Sequence, residues 1–237
     1  MDLTLINSKI LQVFIDRDIK TFPVDPFQLL ESYNIKIYTY SELREKNAAL
    51  HAMCINYSDD AFRYEGIVCY NEQKTMSRIR FSLAHELGHI VLGHISDEKE
   101  KEVEANYFAS NFLSPRMAIH YANCKNVNDV AKIFKMSEQA ARNAFDDYRR
   151  WRRNVSTYGM STIDKQMYEH FYNEDAQKFV WAFEHCDFCF TNYAYNGNEL
   201  CDSCKLHEIK KSISFKGIDY QERDLDIARS RWLYGNL

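Results

Sequence analysis

Two histidines with a glutamate between them form the most informative pattern in the sequence. His85 and His89 are four positions apart, and Glu86 directly follows the first histidine. Residues at this spacing project from the same face of an α-helix, so both imidazoles can reach one metal ion. Glu86 lies to one side, where its carboxylate can act as general base on a zinc-bound water without ligating the metal itself. The pattern therefore indicates a hydrolytic metal site.

The surroundings of the pattern strengthen this interpretation, because so short a match also arises by chance on amphipathic helices. A helix is predicted over residues 76–95, and apolar side chains flank the histidines on it: Leu83, Ala84, Leu87, Ile90 and Val91. Such a helix is largely buried, and buried histidines and glutamates need polar partners. A metal ion supplies those partners together.

A third protein ligand is needed, with a fourth position left open. His94 is one candidate, but a three-histidine site requires the histidine one position further along. A second predicted helix, over residues 97–113, offers four glutamates: Glu98, Glu100, Glu102 and Glu104. At ~100° per residue, Glu102 lies beside the inward stripe of this helix, whereas Glu100 and Glu104 face water. Glu98 also faces inward, but in the first turn its charge is equally explained by the helix dipole.

Glu102 is therefore the predicted third ligand. Asn106 follows it by one helical turn and could support it or orient a ligating histidine. His94 is left as a structural residue near the site. A hydrolytic site also needs a donor that stabilises the charge on the attacked carbonyl, and the sequence does not identify it. Tyr70 and Asn71 could line the cleft, but strand packing is the favoured role for Tyr70.

Three segments together resemble the ImmA/IrrE metallopeptidase family. They are RFSLAHELGH at 80–89, EVEANYFA at 102–109 and Leu-Ser-Pro at 113–115, where the family usually has Leu-Met-Pro. The resemblance covers residues 20–150 and implies a zincin-like fold similar to thermolysin-type peptidases. It also implies catalytic zinc held by His85, His89 and Glu102, and a helix-turn-helix repressor of a mobile element or stress regulon as substrate. Residues from Ser161 onward have no clear counterpart in the family core.

The segment 123–160 is predicted to be helix-turn-helix-like. A short helix is followed by a tight turn, and Ser137 caps a second helix. The run 149–153, Arg-Arg-Trp-Arg-Arg, then places four positive charges around one aromatic residue. DNA contact is one interpretation, but substrate docking or simple helical packing is favoured over it.

Four cysteines near the C-terminus have the spacing of a zinc ribbon. Cys186 and Cys189 form one Cys-x-x-Cys pair, and Cys201 and Cys204 form a second. Four thiolates at this spacing are expected to close tetrahedrally on a structural zinc. Acidic residues around the pairs disfavour phosphate binding by this module. The other three cysteines, Cys54, Cys69 and Cys124, are expected to be buried and inert.

Composition limits the classes of protein that are consistent with the sequence. The 237 residues carry 30 Lys plus Arg against 34 Asp plus Glu, which excludes a globally cationic nucleic-acid coat. Apolar residues make up 46%, enough for a packed core, and 7 Gly and 3 Pro favour helices over a turn-rich β-sandwich. No targeting segment or bilayer-spanning run is recognisable. A cytoplasmic protein without a membrane partner is expected.

The predicted fold is α+β and mainly helical. It comprises a zincin-like peptidase domain with a small β-sheet (residues 1–122), the helix-turn-helix-like segment (123–160) and a zinc-ribbon-containing module (161–237). Strands are predicted at 35–38, 51–55 and 66–70, and a last helix at 223–234.

The favoured function is a zinc-dependent endopeptidase that cleaves a regulatory protein. The alternative is a non-proteolytic regulator that uses the peptidase fold to sense or bind a partner. The intact set of ligands and base speaks for the enzyme.

Overall fold

The computed structural model describes residues 1–95, 98–195 and 200–209. These residues are mainly helical with small sheets, which confirms the predicted α+β class. They divide into two compact units, the first comprising Met1–Ala182 and the second beginning at Phe183. None of the helices in the described ranges is both long and apolar enough to cross a bilayer.

The first unit contains ten helices and five strands among its described residues. In chain order they are α1 (Leu3–Asp16), α2 (Pro26–Ser32), β1 (Lys36–Thr39), α3 (Tyr40–Lys46), α4 (Ala48–Tyr57), β2 (Ala61–Tyr64), β3 (Ile67–Tyr70), α5 (Met76–Leu92), α6 (Lys99–Leu113), α7 (Arg116–Tyr121), α8 (Val127–Phe134), α9 (Glu138–Tyr158), α10 (Thr162–Phe171), β4 (Tyr172–Asn173) and β5 (Lys178–Phe179). The pair β4 and β5 forms a small antiparallel hairpin.

A three-stranded sheet has the order β1-β3-β2, with β1 parallel and β2 antiparallel to β3. The β2–β3 hairpin closes through Glu65 and Gly66, whose φ angles of 42° and 79° suit the tight turns that match strand twist. The strand β2 is therefore an edge strand. It also packs beside α5, so the sheet edge lies next to the helix that carries the two histidines.

The helices α5 and α6 approach each other closely because Gly88 carries no side chain. A Cβ at this position would lie 3.0 Å from Phe108 Cδ1 and 3.3 Å from the backbone of Ala105. Behind this contact, the ring of Phe112 stacks on Phe108 and on Phe14 of α1, with centroid distances of 5.6 and 5.3 Å. The close approach brings side chains of α5 and α6 within reach of a shared ligand.

One predicted strand is wrong, since residues 51–55 lie within α4. Asn47 caps this helix by accepting a hydrogen bond from the Leu50 backbone N–H. Cys54 is fully buried and packs in a cluster with Tyr40, Leu43 and Cys69. Alternating apolar residues suggested a strand, but only the Cys54 side of the segment meets the core. The actual second strand, β2, was not predicted because it is short and half-exposed.

Side chains cap the first turns of α2 and α9. Asp25 accepts a hydrogen bond from the Phe27 backbone N–H, and Pro26 occupies the first helical position of α2. Ser137 caps α9 through the Ala140 backbone N–H, as predicted.

The compact units differ from the predicted division at 122 and 160. Residues 161–182, assigned from the sequence to the C-terminal module, belong to the first unit. The ring of Phe171 in α10 explains this, because it packs on Phe14 and Phe22 with centroid distances of 5.4 and 5.2 Å.

The second unit holds the four paired cysteines. Its described part contains an antiparallel pair, β6 (Phe183–His185) and β7 (Asn192–Ala194), and a helical segment over 202–209. The predicted helix at 223–234 lies outside the described residues.

Candidate metal centre

Three side chains from α5 and α6 converge on one point. His85 and His89 lie one turn apart on α5, with their Nε2 atoms 3.0 Å from each other. Glu102 reaches across from α6, and its two carboxylate oxygens lie 3.3 Å from His85 Nε2 and 3.2 Å from His89 Nε2. The structure therefore brings together the three residues that were predicted as ligands of the first metal.

The distances between these donor atoms fit a tetrahedral metal ion. Bonds of ~2.05 Å from such an ion place neighbouring ligands about 3.3 Å apart. Burial lowers the pKa of His85, although the nearby Glu102 carboxylate raises it. The net direction favours the neutral imidazole, which is the form that binds a metal.

Hydrogen bonds on the far side of each ring set the orientation that metal binding needs. His85 Nδ1 lies 3.1 Å from Asn106 Oδ1, so an N–H there donates to the amide oxygen and leaves Nε2 with its lone pair. His89 Nδ1 lies 3.0 Å from His94 Nδ1, and His94 Nε2 lies 3.3 Å from a Glu104 oxygen. If His89 donates to His94, then His94 donates in turn to Glu104. Both rings are thereby oriented with an unprotonated Nε2 toward the centre.

The participation of Glu104 corrects the prediction that it faces water. Its side chain is only 27% exposed. Gly93 ends α5 with a φ of 71°, and the following His94 is turned back to donate its backbone N–H to the His89 carbonyl. His94 therefore covers a face of α6 that the periodicity of α6 alone marks as solvent-facing. Glu98, expected to face inward, is exposed and pairs with Lys101.

Glu86 faces a basic partner that the sequence did not reveal. Its carboxylate is 12% exposed and lies 4.0 Å from the Nε of Arg63 on β2. Arg63 also donates from Nη2 to the backbone oxygen of His94, at 3.3 Å, while its buried Nε has no hydrogen-bond partner. The guanidinium therefore places a positive charge beside the Glu86 carboxylate. No spacing rule marks Arg63, because the strand that carries it was not predicted.

A cleft of about 480 Å³ opens over these groups. It runs between α5 and the edge strand β2, and its lining includes Phe62, Arg63, Tyr64, His85, Glu86, His89 and Glu102. A second cavity of about 440 Å³ adjoins it through three shared lining residues, Arg78, Phe81 and Asn106. Amide and hydroxyl side chains of α6 and α9 line that second cavity: Ser110, Asn111, Gln139 and Asn143.

Neither Tyr70 nor Asn71 is among the residues that line the cleft. The ring of Tyr70 packs on Phe27 with a centroid distance of 5.6 Å. The Asn71 amide donates to the Asp59 carbonyl. The favoured role of Tyr70 in strand packing agrees with this arrangement.

The four paired cysteines form a second cluster of metal-ligating atoms. Cys189 Sγ lies 3.8 Å from Cys201 Sγ. A tetrahedral zinc with bonds of ~2.3 Å separates its sulfur ligands by about 3.8 Å, so the distance fits.

The electrostatic environment of this cluster favours bound thiolates. Burial opposes ionisation of Cys186, but backbone N–H groups of Cys189, Cys201 and Phe188 outweigh it and lower its pKa to about 6. The Thr191 hydroxyl lowers the pKa of Cys189. Burial and the neighbouring thiols raise the pKa of Cys204, because further negative charge in the cluster requires a cation.

The remaining three cysteines are buried. Burial raises the pKa of Cys69 and of Cys124 to about 12. The thiol is thus the stable form of both, as expected for inert side chains.

Comparison with protein families gives one match. Residues 41–146 match the family described as Peptidase M78, IrrE N-terminal-like domain. The matched stretch contains α5, α6 and the donor atoms that converge between them, and it supports a function of the metallopeptidase type. No curated protein matches the chain.

Proposed function

Residues 41–146 belong to the IrrE N-terminal-like peptidase family, and from this premise we propose that the protein is a zinc-dependent endopeptidase. The observation that carries the proposal is the meeting of donor atoms from His85, His89 and Glu102 in an open cleft beside Glu86. The proposed substrate is a regulatory protein, a helix-turn-helix repressor of a mobile element or stress regulon. The proposed location is the cytoplasm, where a reducing environment keeps the paired cysteines available for a structural zinc.

The residues around the centre have complementary roles in this reaction. When bound, a zinc ion supplies polarisation of the scissile carbonyl and acidification of water. Glu86 accepts a proton from the attacking water and returns it to the amine nitrogen as the C–N bond breaks. Arg63 places a positive charge beside the Glu86 carboxylate, with its Nε 4.0 Å from a Glu86 oxygen.

The cleft suits an extended segment of polypeptide. The strand β2 lies at the edge of the sheet, and an edge strand can pair with an extended peptide. The second cavity continues beyond Phe81 and Asn106 toward α9. Its amide side chains can form hydrogen bonds with a substrate backbone on one side of the scissile bond.

A single substitution separates this proposal from the non-proteolytic alternative. Glu86→Gln removes the base but keeps the shape of the side chain, so zinc content and the unfolding temperature should stay near wild type. Cleavage of the helix-turn-helix regulator encoded beside the gene should fall at least ~100-fold, as expected for loss of a general base. Gel analysis after incubation of the two purified proteins measures it.

Glu100→Gln is the matched control, because Glu100 is exposed on α6. This variant should cleave like wild type. Cleavage by Glu86→Gln at the wild-type rate would contradict the role of Glu86 as general base, and unchanged biological output of a variant that no longer cleaves would favour the regulator instead.

A further inference from the structure

A third cavity, of about 900 Å³, lies at the other end of the helical part of the first unit. Its walls are the end of α7, residues 123–125 and the C-terminal half of α9. No residue of the metal centre lines it. The cavity is lined by His120, Asn123, Cys124, Lys125, Phe145, Tyr148, Arg149, Arg152, Arg153, Ser156 and Thr157.

The charge of this lining is uniformly positive. Four of the lining residues are cationic: Lys125, Arg149, Arg152 and Arg153. The lining contains no Asp or Glu, and within the described residues none of these four cations forms a salt bridge. The Asp129 carboxylate accepts a hydrogen bond from the Lys125 backbone N–H at 2.7 Å.

Other arginines of the same helix are neutralised, which shows that the unpaired charge is confined to one face. Arg142 pairs with Glu138 at 2.7 Å, and Arg150 pairs with Asp147 at 3.3 Å. Arg149, Arg152 and Arg153 are spaced three and four residues apart, so they project together from α9. Concentrating like charges around a concavity is unfavourable unless an anion enters it.

An aromatic wall lies beside the cations. The rings of Phe145 and Tyr148 are 5.7 Å apart, and His120 lies 3.4 Å from the Tyr148 hydroxyl oxygen. Phe145 is only half-buried, so its ring is accessible to a ligand. Ser156 and Thr157 add hydroxyl groups at the far end of the lining.

We propose that this cavity binds a nucleoside phosphate, with the phosphates held by Arg149, Arg152, Arg153 and Lys125 and the base placed against the half-buried ring of Phe145. Guanidinium groups match phosphate oxygens in pairs, and aromatic rings stack on bases. The volume falls in the range of pockets that enclose small ligands, ~300–1,000 Å³. Duplex DNA is disfavoured, since the exposed N-terminal half of α9 carries Arg142 already paired with Glu138.

Calorimetric titration of the full-length protein with ADP tests the proposal. Saturable binding with one ADP per chain is expected, and inorganic pyrophosphate should compete with it. Arg152→Glu should weaken ADP binding at least tenfold. The matched control Arg142→Glu should bind ADP like wild type, since Arg142 lies on the same helix outside the cavity.

Two further variants keep the test decisive. If Arg152→Glu fails to fold, Arg149→Gln should still weaken ADP binding severalfold. Glu86→Gln should bind ADP like wild type, so failure of the peptidase proposal would not imply failure of this one. Absence of ADP binding, equal losses in the Arg142 and Arg152 variants, or binding of a DNA duplex but not of ADP would overturn the proposal.

Discussion

At the level of single residues, the two candidate histidine ligands are held by different partners. His85 is oriented by an exposed amide, that of Asn106, whereas His89 is oriented by the buried His94, which itself contacts Glu104. Hydrogen bonds thus connect His89 to His94 and His94 to Glu104. The carboxylate at the end of this series fixes the tautomers of His94 and His89 and makes the ligating nitrogen of His89 more basic. Glu104 is therefore a positioning residue for the metal centre.

Glu104→Gln should weaken zinc binding at the His85–His89–Glu102 centre by about 10–100-fold, the usual effect of losing such an outer partner. The amide cannot supply the negative charge that stabilises the proton on His94. Competition with a chromophoric chelator measures the affinity. Glu100→Gln, on the exposed face of α6, should leave the zinc affinity unchanged. An unaltered affinity in Glu104→Gln would show that His94 does not need a charged acceptor.

The side chains that chemistry requires could be predicted from spacing, but their partners could not. His85, His89 and Glu102 follow from helical geometry applied to two neighbouring helices. Glu104 faces away from the core by that same geometry, and it is half-buried only because His94 folds back after Gly93. Arg63 could not be predicted for a similar reason, because its position beside Glu86 depends on where the short strand β2 packs in the tertiary structure.

At the level of secondary structure, the centre depends on how closely α5 and α6 pack. Glu102 and Asn106 belong to α6, so any separation of the helices moves one ligand and one orienting group away from the histidines on α5. Gly88 lies at the point of closest approach, opposite Ala105 and Phe108.

Gly88→Ala should destabilise the protein by about 1 kcal/mol. Overpacking a filled interface costs ~1–3 kcal/mol, whereas alanine gains ~1 kcal/mol over glycine in a helix. Urea denaturation monitored by circular dichroism, with and without chelator, measures the change. The loss of stability should be larger with zinc bound, because the substitution moves α5 and α6 apart. Increased stability under both conditions would show that the α5–α6 interface can accommodate the added methyl group.

Long helices were predicted reliably because their apolar residues recur over several turns, and α9 also carries the predicted cap at Ser137. Short helices and strands were not predicted reliably. The segment 51–55 is helical because its neighbours bury Cys54, and its own pattern does not encode that contact. A four-residue strand such as β2 is extended because it pairs with β3. That pairing is a tertiary contact, which the sequence of β2 alone does not encode.

At the level of the whole molecule, two clusters of metal-ligating atoms occur in two compact units. The centre in the first unit mixes imidazoles with a carboxylate and opens into a cleft, whereas the four cysteines of the second unit form an all-sulfur cluster. Zinc in an open, mixed site is expected to exchange with chelators, while a four-thiolate site is closed and retains its ion. The sequence analysis placed the two sets of ligands in separate modules, but it did not predict the boundary after Ala182.

Zinc content measured by mass spectrometry on wild type and Glu102→Ala is the most direct test of the proposed metal centre between α5 and α6. Wild type should contain two zinc ions per chain, one of them readily removed by a chelator. Glu102→Ala should contain only the chelator-resistant ion, and the exposed-face control Glu100→Ala should contain both. Two tightly held ions in Glu102→Ala, or the same loss in Glu100→Ala, would contradict a metal bound between α5 and α6.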